Sequence, residues 1–260
     1  MRHAKRQQMA LHAANKMRET RDRSWALARG SAAFFVLGLL AFGAYQTVLH
    51  PETPLPTEWN PTYPLRISDP VTPLTGWKLN RAESSADRCL AALNDFAILS
   101  PLDDFEQSEQ CFIRNRVDLR SIGQTQLAPL ETRCAIALRL AMWERHSLQP
   151  ASQDFLGTAL RSINHIGSYN CRAMRTVAGA STRMSTHATA DAIDITGFGF
   201  ANGARISLLA DWENGGPEHA FLKAARDGAC KWFSTTLSPD YNRLHADHFH
   251  LQSRGWGLCR

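Results

Sequence analysis

The sequence predicts a domain of the α+β class that is stabilised by disulfide bonds. Apolar residues recur at helical spacing in several segments, and two short segments alternate apolar and polar residues as strands do. Six cysteines occur without any C-x-x-C pair, which favours disulfides over a cysteine zinc site. This domain is expected to occupy residues 77–260.

The helices of this domain are predicted from apolar stripes and from the residues at their ends. Pro129 and Pro217 suit the first position of a helix, and Gly228 suits the position after the last. In the helix that begins at Pro129, Leu130 and Ala137 belong to the buried face. The expected helices are 83–98, 129–146, 151–160 and 217–227.

The strands that matter for function are predicted from alternation. In "DAIDITGF", residues 191–198, a period of two places Asp194 opposite the apolar side. In "HFHLQ", residues 248–252, the same period places His248 and His250 on one face. A further strand is expected at 162–169. Two polar faces are therefore available for binding or chemistry.

The segment before the domain is predicted to anchor it in a membrane. Residues 30–51 carry no Asp, Glu, Lys or Arg, and about 20 apolar residues suffice to span a bilayer. Residues 1–29 form a basic tail, which predicts that this side is cytoplasmic. Residues 52–76 are rich in proline and are expected to form a semi-rigid linker. A cleaved signal peptide is the alternative; the long basic region and the lack of an A-x-A site argue against it.

The net charge of +5 does not indicate a nucleic-acid-binding surface. Residues 1–30 hold eight Lys/Arg and two acidic residues, whereas the other 230 residues hold 21 basic and 22 acidic side chains. The basic character therefore belongs to the tail. A domain that bound a phosphate backbone would carry its positive charge on its own surface.

All six cysteines follow the apolar segment, as expected for an exported domain with disulfides. Six cysteines allow 15 pairings. We expect a sequential pattern, with buried free thiols as the alternative for some of them. The expected pairs are Cys89–Cys111, Cys134–Cys171 and Cys230–Cys259.

Histidine and aspartate side chains cluster in "STHATADAIDITGF" and "LHADHFHL". His187, Asp194 and His250 together make three nitrogen and oxygen ligands, the number that a catalytic zinc takes from protein while one position stays open for water. His248 is the candidate for proton transfer, because a neutral imidazole next to the metal can take a proton from water. These three ligands and this base are the core of the functional prediction.

Other residues near these motifs have supporting roles in the prediction. His245 is a second catalytic candidate, although a loop histidine need not face the site. Ser185 is expected to tie down the loop of His187, and Asp247 to hold a histidine tautomer. Arg172 and Arg183, ahead of Arg175, are candidates for binding a substrate carboxylate, although solvated arginines are the ordinary alternative.

The pattern S-x-H-x-x-x-x-A-x-D, formed by Ser185, His187, Ala192 and Asp194 and followed by H-x-H, resembles the zinc peptidases grouped with lysostaphin, D-Ala-D-Ala metallopeptidases and the Hedgehog signalling domain. In that group the first His, the Asp and the last His bind zinc, and the penultimate His acts in catalysis. The longer H-x-x-H-x-H form is similar to that of penicillin-insensitive murein endopeptidases. One departure is Ala190, where many members carry glycine.

More closely still, residues from about 77 to 260 resemble the extensin-like C-terminal domain family of bacteria. The matching stretches include "GSYNCR", "STHATADAIDITGF", "DWENG", "HAFLKAARDGAC" and "LSPDYNRLHADHFHL". The resemblance implies a small antiparallel sheet that carries one zinc ion on its open face and is flanked by helices. It also implies peptidoglycan stem peptides as the substrate.

Two functions follow as expectations. The first is a zinc metallopeptidase of D,D-endopeptidase or carboxypeptidase type, held by a single span in a bacterial inner membrane with its domain in the periplasm. The second is a non-catalytic cell-wall binding or scaffold module with a structural or vestigial metal site. A structural zinc normally has four protein ligands, and only three are assigned, so the first is preferred. No protein partner is predicted.

Overall fold

The structure of the protein, a computed structural model, describes residues 2–50, 52–177 and 179–260. The chain divides into two compact units, Met1–Thr62 and Tyr63–Arg260. The first contains a long helix, and the second contains the sheet with its surrounding helices. The helices are α1 Arg2–Leu49, α2 Thr75–Glu83, α3 Ala86–Leu93, α4 Cys134–Trp143, α5 Gln149–Leu156, α6 Leu208–Asp211 and α7 Gly216–Trp232.

The long helix α1 contains a segment, Leu27–Leu49, that is long and apolar enough to cross a membrane. Its 23 residues have a mean hydropathy of 1.8. At about 1.5 Å per residue such a segment exceeds the hydrocarbon thickness of about 30 Å. After α1, the buried Asn60 donates from its side-chain amide to the carbonyl of Val48 and accepts from the backbone of Thr62.

The second unit is built on one large mixed sheet. The strands are β1 Ala97–Pro101, β2 Phe105–Ser108, β3 Cys111–Ile113, β4 Arg116–Ile122, β5 Thr125–Arg133, β6 Leu160–His165, β7 Ala173–Thr176, β8 Gly179–Met184, β9 Ala192–Phe200, β10 Arg205–Ser207, β11 Thr235–Leu237, β12 Phe249–Gln252 and β13 Leu258–Cys259. The nine-stranded sheet has the order β1-β4-β5-β6-β9-β12-β11-β13, with β10 paired to β9. Two small hairpins, β2–β3 and β7–β8, stand apart from it.

The α+β class with disulfides is confirmed, but the expectation of a small antiparallel sheet is wrong. The sheet has nine strands, and its β5–β6 and β11–β13 pairs are parallel. Strands of two to four residues, such as β13 and β11, show too few positions for an alternating pattern to be recognised.

The expected helix 129–146 is wrong in its first part, because β5 continues to Arg133 and α4 begins at Cys134. Leu119 of β4 pairs with Leu130, whereas Ser121 pairs with Gln126, so β5 bulges around Pro129. Proline is tolerated at a bulge because no ladder hydrogen bond needs its missing N–H. Of the apolar stripe that suggested a helix, only Leu130 lies in the strand, and the rest of the stripe from Cys134 onward is the buried side of α4.

The helix α4 is the centre of the core. All but one of its residues are buried, so it lacks the polar face of a surface helix. It packs against β4, β5, α3 and α7. Trp143 near its end donates to the carbonyl of Ala225 on α7 and contacts Phe198 of β9 edge to face. Through this packing the helical layer supports the strand that carries Asp194.

The remaining helices differ from the expectation at their ends. The expected helix 83–98 is too long at both ends, since α2 ends at Glu83, α3 spans Ala86–Leu93 and β1 begins at Ala97. Ser85 caps α3 by accepting from the backbone N–H of Arg88. The helix α7 does not stop at Gly228 but runs to Trp232. A Cβ at Gly228 would lie 2.4 Å from the Cβ of Ser147, so the glycine permits close packing rather than ending the helix.

All six cysteines form disulfides, which confirms that part of the prediction. The sequential pairing is right for Cys230–Cys259 and wrong for the other four cysteines. The fold brings α3 against the start of α4, and it brings β3 beside the segment that precedes β7. The bonds are therefore Cys89–Cys134, Cys111–Cys171 and Cys230–Cys259.

The expected linker 52–76 is ordered in its later part. Leu65 and Ile67 are buried in the hydrophobic core of the second unit. The ring Nε2 of His146 donates to the carbonyl of Ile67 at 2.8 Å, which holds this segment on the helical layer. Within the second unit, structure therefore begins well before residue 77.

Candidate metal site

Two neighbouring strands bring an aspartate and a histidine together. Strands β9 and β12 are antiparallel, and His250 lies directly opposite Asp194 in their register. Side chains of directly opposed residues stand next to each other on one face of a sheet. His187 comes from the short 3-10 helix Thr186–Thr189, which ends just before β9. The three residues thus converge from two strands and one turn.

The three side chains form a compact cluster with metal-ligand geometry. Their candidate ligand atoms all lie within 4.8 Å of one another. His187 Nε2 lies 3.2 Å from Asp194 Oδ2 and 3.2 Å from His250 Nδ1. Two ligands of a tetrahedral zinc at about 2.0–2.1 Å from the metal are about 3.3 Å apart. The two His187 distances therefore suit a cation held between these atoms.

The ring nitrogens that face away from the cluster have their own partners. His187 Nδ1 donates to the carbonyl of Ser168 at 2.7 Å, so Nε2 is the nitrogen directed at the cluster. His250 Nε2 is hydrogen-bonded by the side-chain amide of Gln252 at 2.9 Å. An amide carries both donor and acceptor, so Gln252 can hold either tautomer of His250. Such partners fix the orientation of ligand histidines.

The protonation states also suit a cation. Burial alone would raise the pKa of Asp194, but hydrogen bonds from His187 and His250 outweigh it and hold that pKa well below its ordinary value. Burial lowers the pKa of His250 below its ordinary value. The cluster therefore presents a carboxylate and a neutral imidazole near neutral pH, the forms that bind metals.

His248 does not share a strand face with His250 as expected, because β12 begins at Phe249. It reaches the site from the preceding loop, with Nε2 3.7 Å from Asp194 Oδ1. Its Nδ1 donates to Asp247 Oδ1 at 2.7 Å, so Nε2 is the nitrogen that faces the cluster. Asp247 thus lies where it fixes the tautomer of His248.

His245 stands beside the other two histidines of its motif. Its ring centroid is 5.2 Å from that of His248 and 5.7 Å from that of His250. Its Nδ1 donates to Asn242 Oδ1 at 2.8 Å. Burial, followed by repulsion from His250 and His248, lowers the pKa of His245 to about 4. His245 is therefore neutral at neutral pH.

Ser185 and Ala190 shape the turn that carries His187. The side chain of Ser185 accepts from the backbone N–H of His187 at 3.3 Å, and its own N–H donates to the carbonyl of Arg172. Ala190 ends the turn in the left-handed region, with φ of 48°. This conformation is less favourable by about 1–2 kcal/mol for a residue with a Cβ, so Ala190 holds it at a cost that glycine would not have.

A groove of about 550 Å³ runs past the cluster. It is lined by Arg172, Arg175 and Arg183, from the β7–β8 hairpin and the segments next to it, and by His245 and His248. The structure therefore brings the two predicted substrate-binding arginines, together with Arg175, to the same groove as the histidines.

Three residues that support the cluster were not predicted from the sequence. Gln252 and Ser168 hold the outer nitrogens of the two histidine ligands. Asp191, only 1% exposed, accepts from Arg133 at 2.7 Å and from Arg254 at 2.8 Å. The signal for Gln252 was its position two residues after His250 on one strand. No nearby sequence pattern indicated Ser168 as a partner of His187, or Arg133 and Arg254 as partners of Asp191, because these residues lie far apart in the chain.

Comparison with known proteins identifies the family of the folded unit. The family model described as extensin-like protein C-terminus matches residues 87–260, which include all six cysteines and every residue of the cluster. No curated protein and no solved structure matches the chain. Because the family model covers well over half of the 260 residues, the chain belongs to the extensin-like protein C-terminus family.

Proposed function

We propose that this protein is a zinc metallopeptidase that hydrolyses peptide bonds of peptidoglycan stem peptides. The observation that carries the proposal is the buried cluster of His187, Asp194 and His250 at the wall of a groove, with two further histidines beside it. Three protein ligands with an open side are typical of catalytic zinc sites. On this proposal the chain is a relative of the zinc peptidase group whose motif it resembles.

The donor set fits one Zn²⁺ ion. His187 Nε2, His250 Nδ1 and a carboxylate oxygen of Asp194 would hold it, since nitrogen and oxygen ligands of this kind suit zinc. When bound, zinc supplies Lewis acidity, which polarises a carbonyl oxygen and lowers the pKa of water to about 7. Both histidines already have their outer nitrogens held by Ser168 and Gln252.

The chain's own residues supply proton transfer. Because Asp247 accepts from Nδ1 of His248, the neutral form of this ring carries its lone pair on Nε2, which faces the groove and can accept a proton from a nearby water. Returning that proton to the departing amine completes the acid–base cycle. His245 is the second candidate, since it lines the same groove and is neutral at neutral pH.

The location that suits this substrate is the periplasmic face of a bacterial inner membrane. The segment Leu27–Leu49 would be the single span, and the basic residues before it favour a cytoplasmic N-terminus. Three disulfides suit an oxidising compartment outside the cytoplasm. The domain would thus be held beside the cell wall that it acts on.

One observation favours a second candidate, a non-catalytic cell-wall module with a closed metal site. The ring of His245 lies 5.7 Å from that of His250, near enough for a modest rotation of the loop to offer a fourth ligand. Four protein ligands are characteristic of structural zinc. In this candidate His245 would be required for metal binding, whereas in the first it is not.

The experiment that tests the proposal compares three histidine variants of the full-length protein in detergent. His250→Ala removes one of three ligands, so bound zinc should fall steeply. His248→Ala should keep zinc but lose about 10²–10⁴-fold in turnover of cross-linked muropeptides, the usual worth of acid–base assistance. His219→Ala, on α7, is the control and should change neither quantity.

Metal analysis by mass spectrometry and muropeptide digestion followed by chromatography give the two readouts. Equal loss of zinc from His248→Ala and His250→Ala would show that the assigned roles are wrong. A wild-type protein that holds zinc and cuts no peptidoglycan preparation would favour the closed-site candidate.

A further inference from the structure

Two cavities meet at the metal cluster. The first is the groove of about 550 Å³ already described. The second, here called the side pocket, has a volume of about 210 Å³ and is lined by Tyr169, Asn170 and His187 among others. Both cavities are bounded by Ile166, Arg172, Arg175 and Asp194. The cluster is therefore open on two sides rather than lying at the closed end of one pocket.

The lining of the two cavities is positively charged. Arg172, Arg175 and Arg183 contribute three guanidinium groups, whereas Asp194 is the only carboxylate that lines either cavity among the described residues. Asp194 is already engaged by His187 and His250. Among the described residues that line them, the joined cavities thus have an excess of positive charge.

Several other arginines of the same unit are held in ion pairs. Arg133 and Arg254 pair with Asp191, and Arg139 pairs with Glu83. Within residues 52–177 and 179–260, no carboxylate forms an ion pair with Arg172, Arg175 or Arg183. Their side chains make one hydrogen bond within these residues, from Arg172 to the carbonyl of Ala173 at 3.4 Å. Unpaired guanidinium groups are suited to bind a carboxylate through two parallel hydrogen bonds.

We propose that the joined cavities bind an anionic peptide that crosses the metal cluster, with a carboxylate of the peptide against Arg172 and Arg175 and with chain on both sides of the bond that is cut. This rests on the proposed peptidase function and names its mode: an internal amide is cleaved, not the last bond before a free C-terminus. Hydrolysis consumes one water, whose oxygen bonds to the carbonyl carbon while the C–N bond breaks and the amine gains a proton.

A closed pocket would favour the opposite mode. A carboxypeptidase must recognise a terminal carboxylate one residue beyond the scissile bond, so chain that continues past that point has to be excluded. Here the side pocket and the groove leave space for chain in both directions from Asp194. The arginines then recognise a carboxylate along the chain rather than at its end.

The test uses three probes with the full-length zinc-loaded protein. One is a cross-linked muropeptide, in which the target amide joins two stem peptides. The second is an uncross-linked stem pentapeptide with a free C-terminus, and the third is the cross-linked muropeptide with its carboxylates amidated. We expect kcat/KM on the first probe to exceed that on the other two by at least about tenfold, the discrimination that one good charged contact supports.

Arg175→Gln is the decisive variant, because Arg175 is exposed and its loss should not disturb folding. It should lower kcat/KM on the carboxylated cross-linked probe about tenfold and leave the amidated probe unchanged. Arg205→Gln, an exposed arginine on β10, is the matched control and should change neither. Equal losses on both cross-linked probes, or faster cleavage of the pentapeptide than of the cross-linked probe, would overturn the inference.

Binding to the zinc-free protein separates this inference from the proposed function. Calorimetry should show the cross-linked muropeptide binding more tightly than the pentapeptide, and Arg175→Gln should remove the preference for carboxylates. If these binding preferences appear but the zinc-loaded protein cuts no probe, the peptidase proposal fails and the two-sided cleft for an anionic peptide stands. If the protein cleaves the pentapeptide with equal binding of all three probes, the cleft inference fails and the peptidase proposal stands.

Discussion

Asp191 should position the metal ligands, and replacing it with asparagine tests this. Its carboxylate accepts from Thr189 at 2.5 Å and from Arg133 at 2.7 Å, and its backbone carbonyl accepts from Ser253 at 2.9 Å. Thr189 belongs to the turn of His187, and Ser253 follows the strand of His250. Asp191 therefore joins the two segments that carry the histidine ligands, although it does not face the cluster itself.

The expected loss of stability follows from how deeply each ion pair of Asp191 is buried. Breaking a buried ion pair costs about 3–5 kcal/mol, whereas an exposed pair is worth about 0–1 kcal/mol. Arg133 is 23% exposed and Arg254 is 59% exposed, so the first pair dominates and the second adds little. Asparagine keeps one acceptor oxygen. We expect Asp191→Asn to lower the free energy of unfolding of the zinc-free protein by about 2–4 kcal/mol and to weaken zinc binding about 10–100-fold.

The matched control is Glu83→Gln. Glu83 lies 2.6 Å from Arg139, which is 7% exposed, and neither residue lines the groove or the side pocket. This variant should lose stability to a similar extent and keep zinc affinity. Denaturant unfolding and competition with a chromophoric chelator measure the two quantities. The reasoning is refuted if Asp191→Asn binds zinc as the wild type does, or if Glu83→Gln loses as much zinc affinity.

Three further outcomes are expected. The lowered pKa of His245, about 4, means that the folded state binds its proton more weakly than the unfolded state. Stability of the zinc-free protein should therefore fall as pH drops from about 6.5 toward 4, and less so in His245→Gln; equal slopes in chemical denaturation would contradict this. Gly228→Ala should lower the free energy of unfolding by about 1–3 kcal/mol, because the added Cβ would clash with Ser147. Gly76→Ala, which has open space around it, should not lower it, and thermal unfolding of the two variants measures the difference. Reporter fusions after residue 52 should be active only in the periplasm, and cytoplasmic activity would reverse the proposed orientation.

The sequence predicted best the features that depend on residues close together in the chain. Asp194 and His250 lie in strands whose alternation is visible in the sequence, whereas only the structure shows that the register of β9 with β12 places them opposite each other. The role of Asp247 beside His248 also needs only neighbouring residues. Such local patterns carry enough information because strand geometry fixes which side chains share a face.

Features that depend on contacts between residues far apart in the chain could not be predicted in the same way. The full extent of the sheet could not be predicted because β5 contains Pro129. A proline at this place in the sequence favours the start of a helix, and only the structure shows the bulge that lets the strand contain it. The pairs Cys89–Cys134 and Cys111–Cys171 depend on how α3, α4 and β3 pack. His248 reaches the cluster from a loop rather than from a strand, so alternation could not describe its direction.

The central claim is that the cluster is an open, catalytic type of zinc site. X-ray absorption at the zinc edge of the full-length protein tests this most directly, because it counts the ligands and identifies their elements. We expect four nitrogen or oxygen ligands at about 2.0–2.1 Å, of which two are imidazoles and one is an exchangeable water. A third imidazole from His245 in place of water, sulfur ligands, or no bound zinc at all would contradict it.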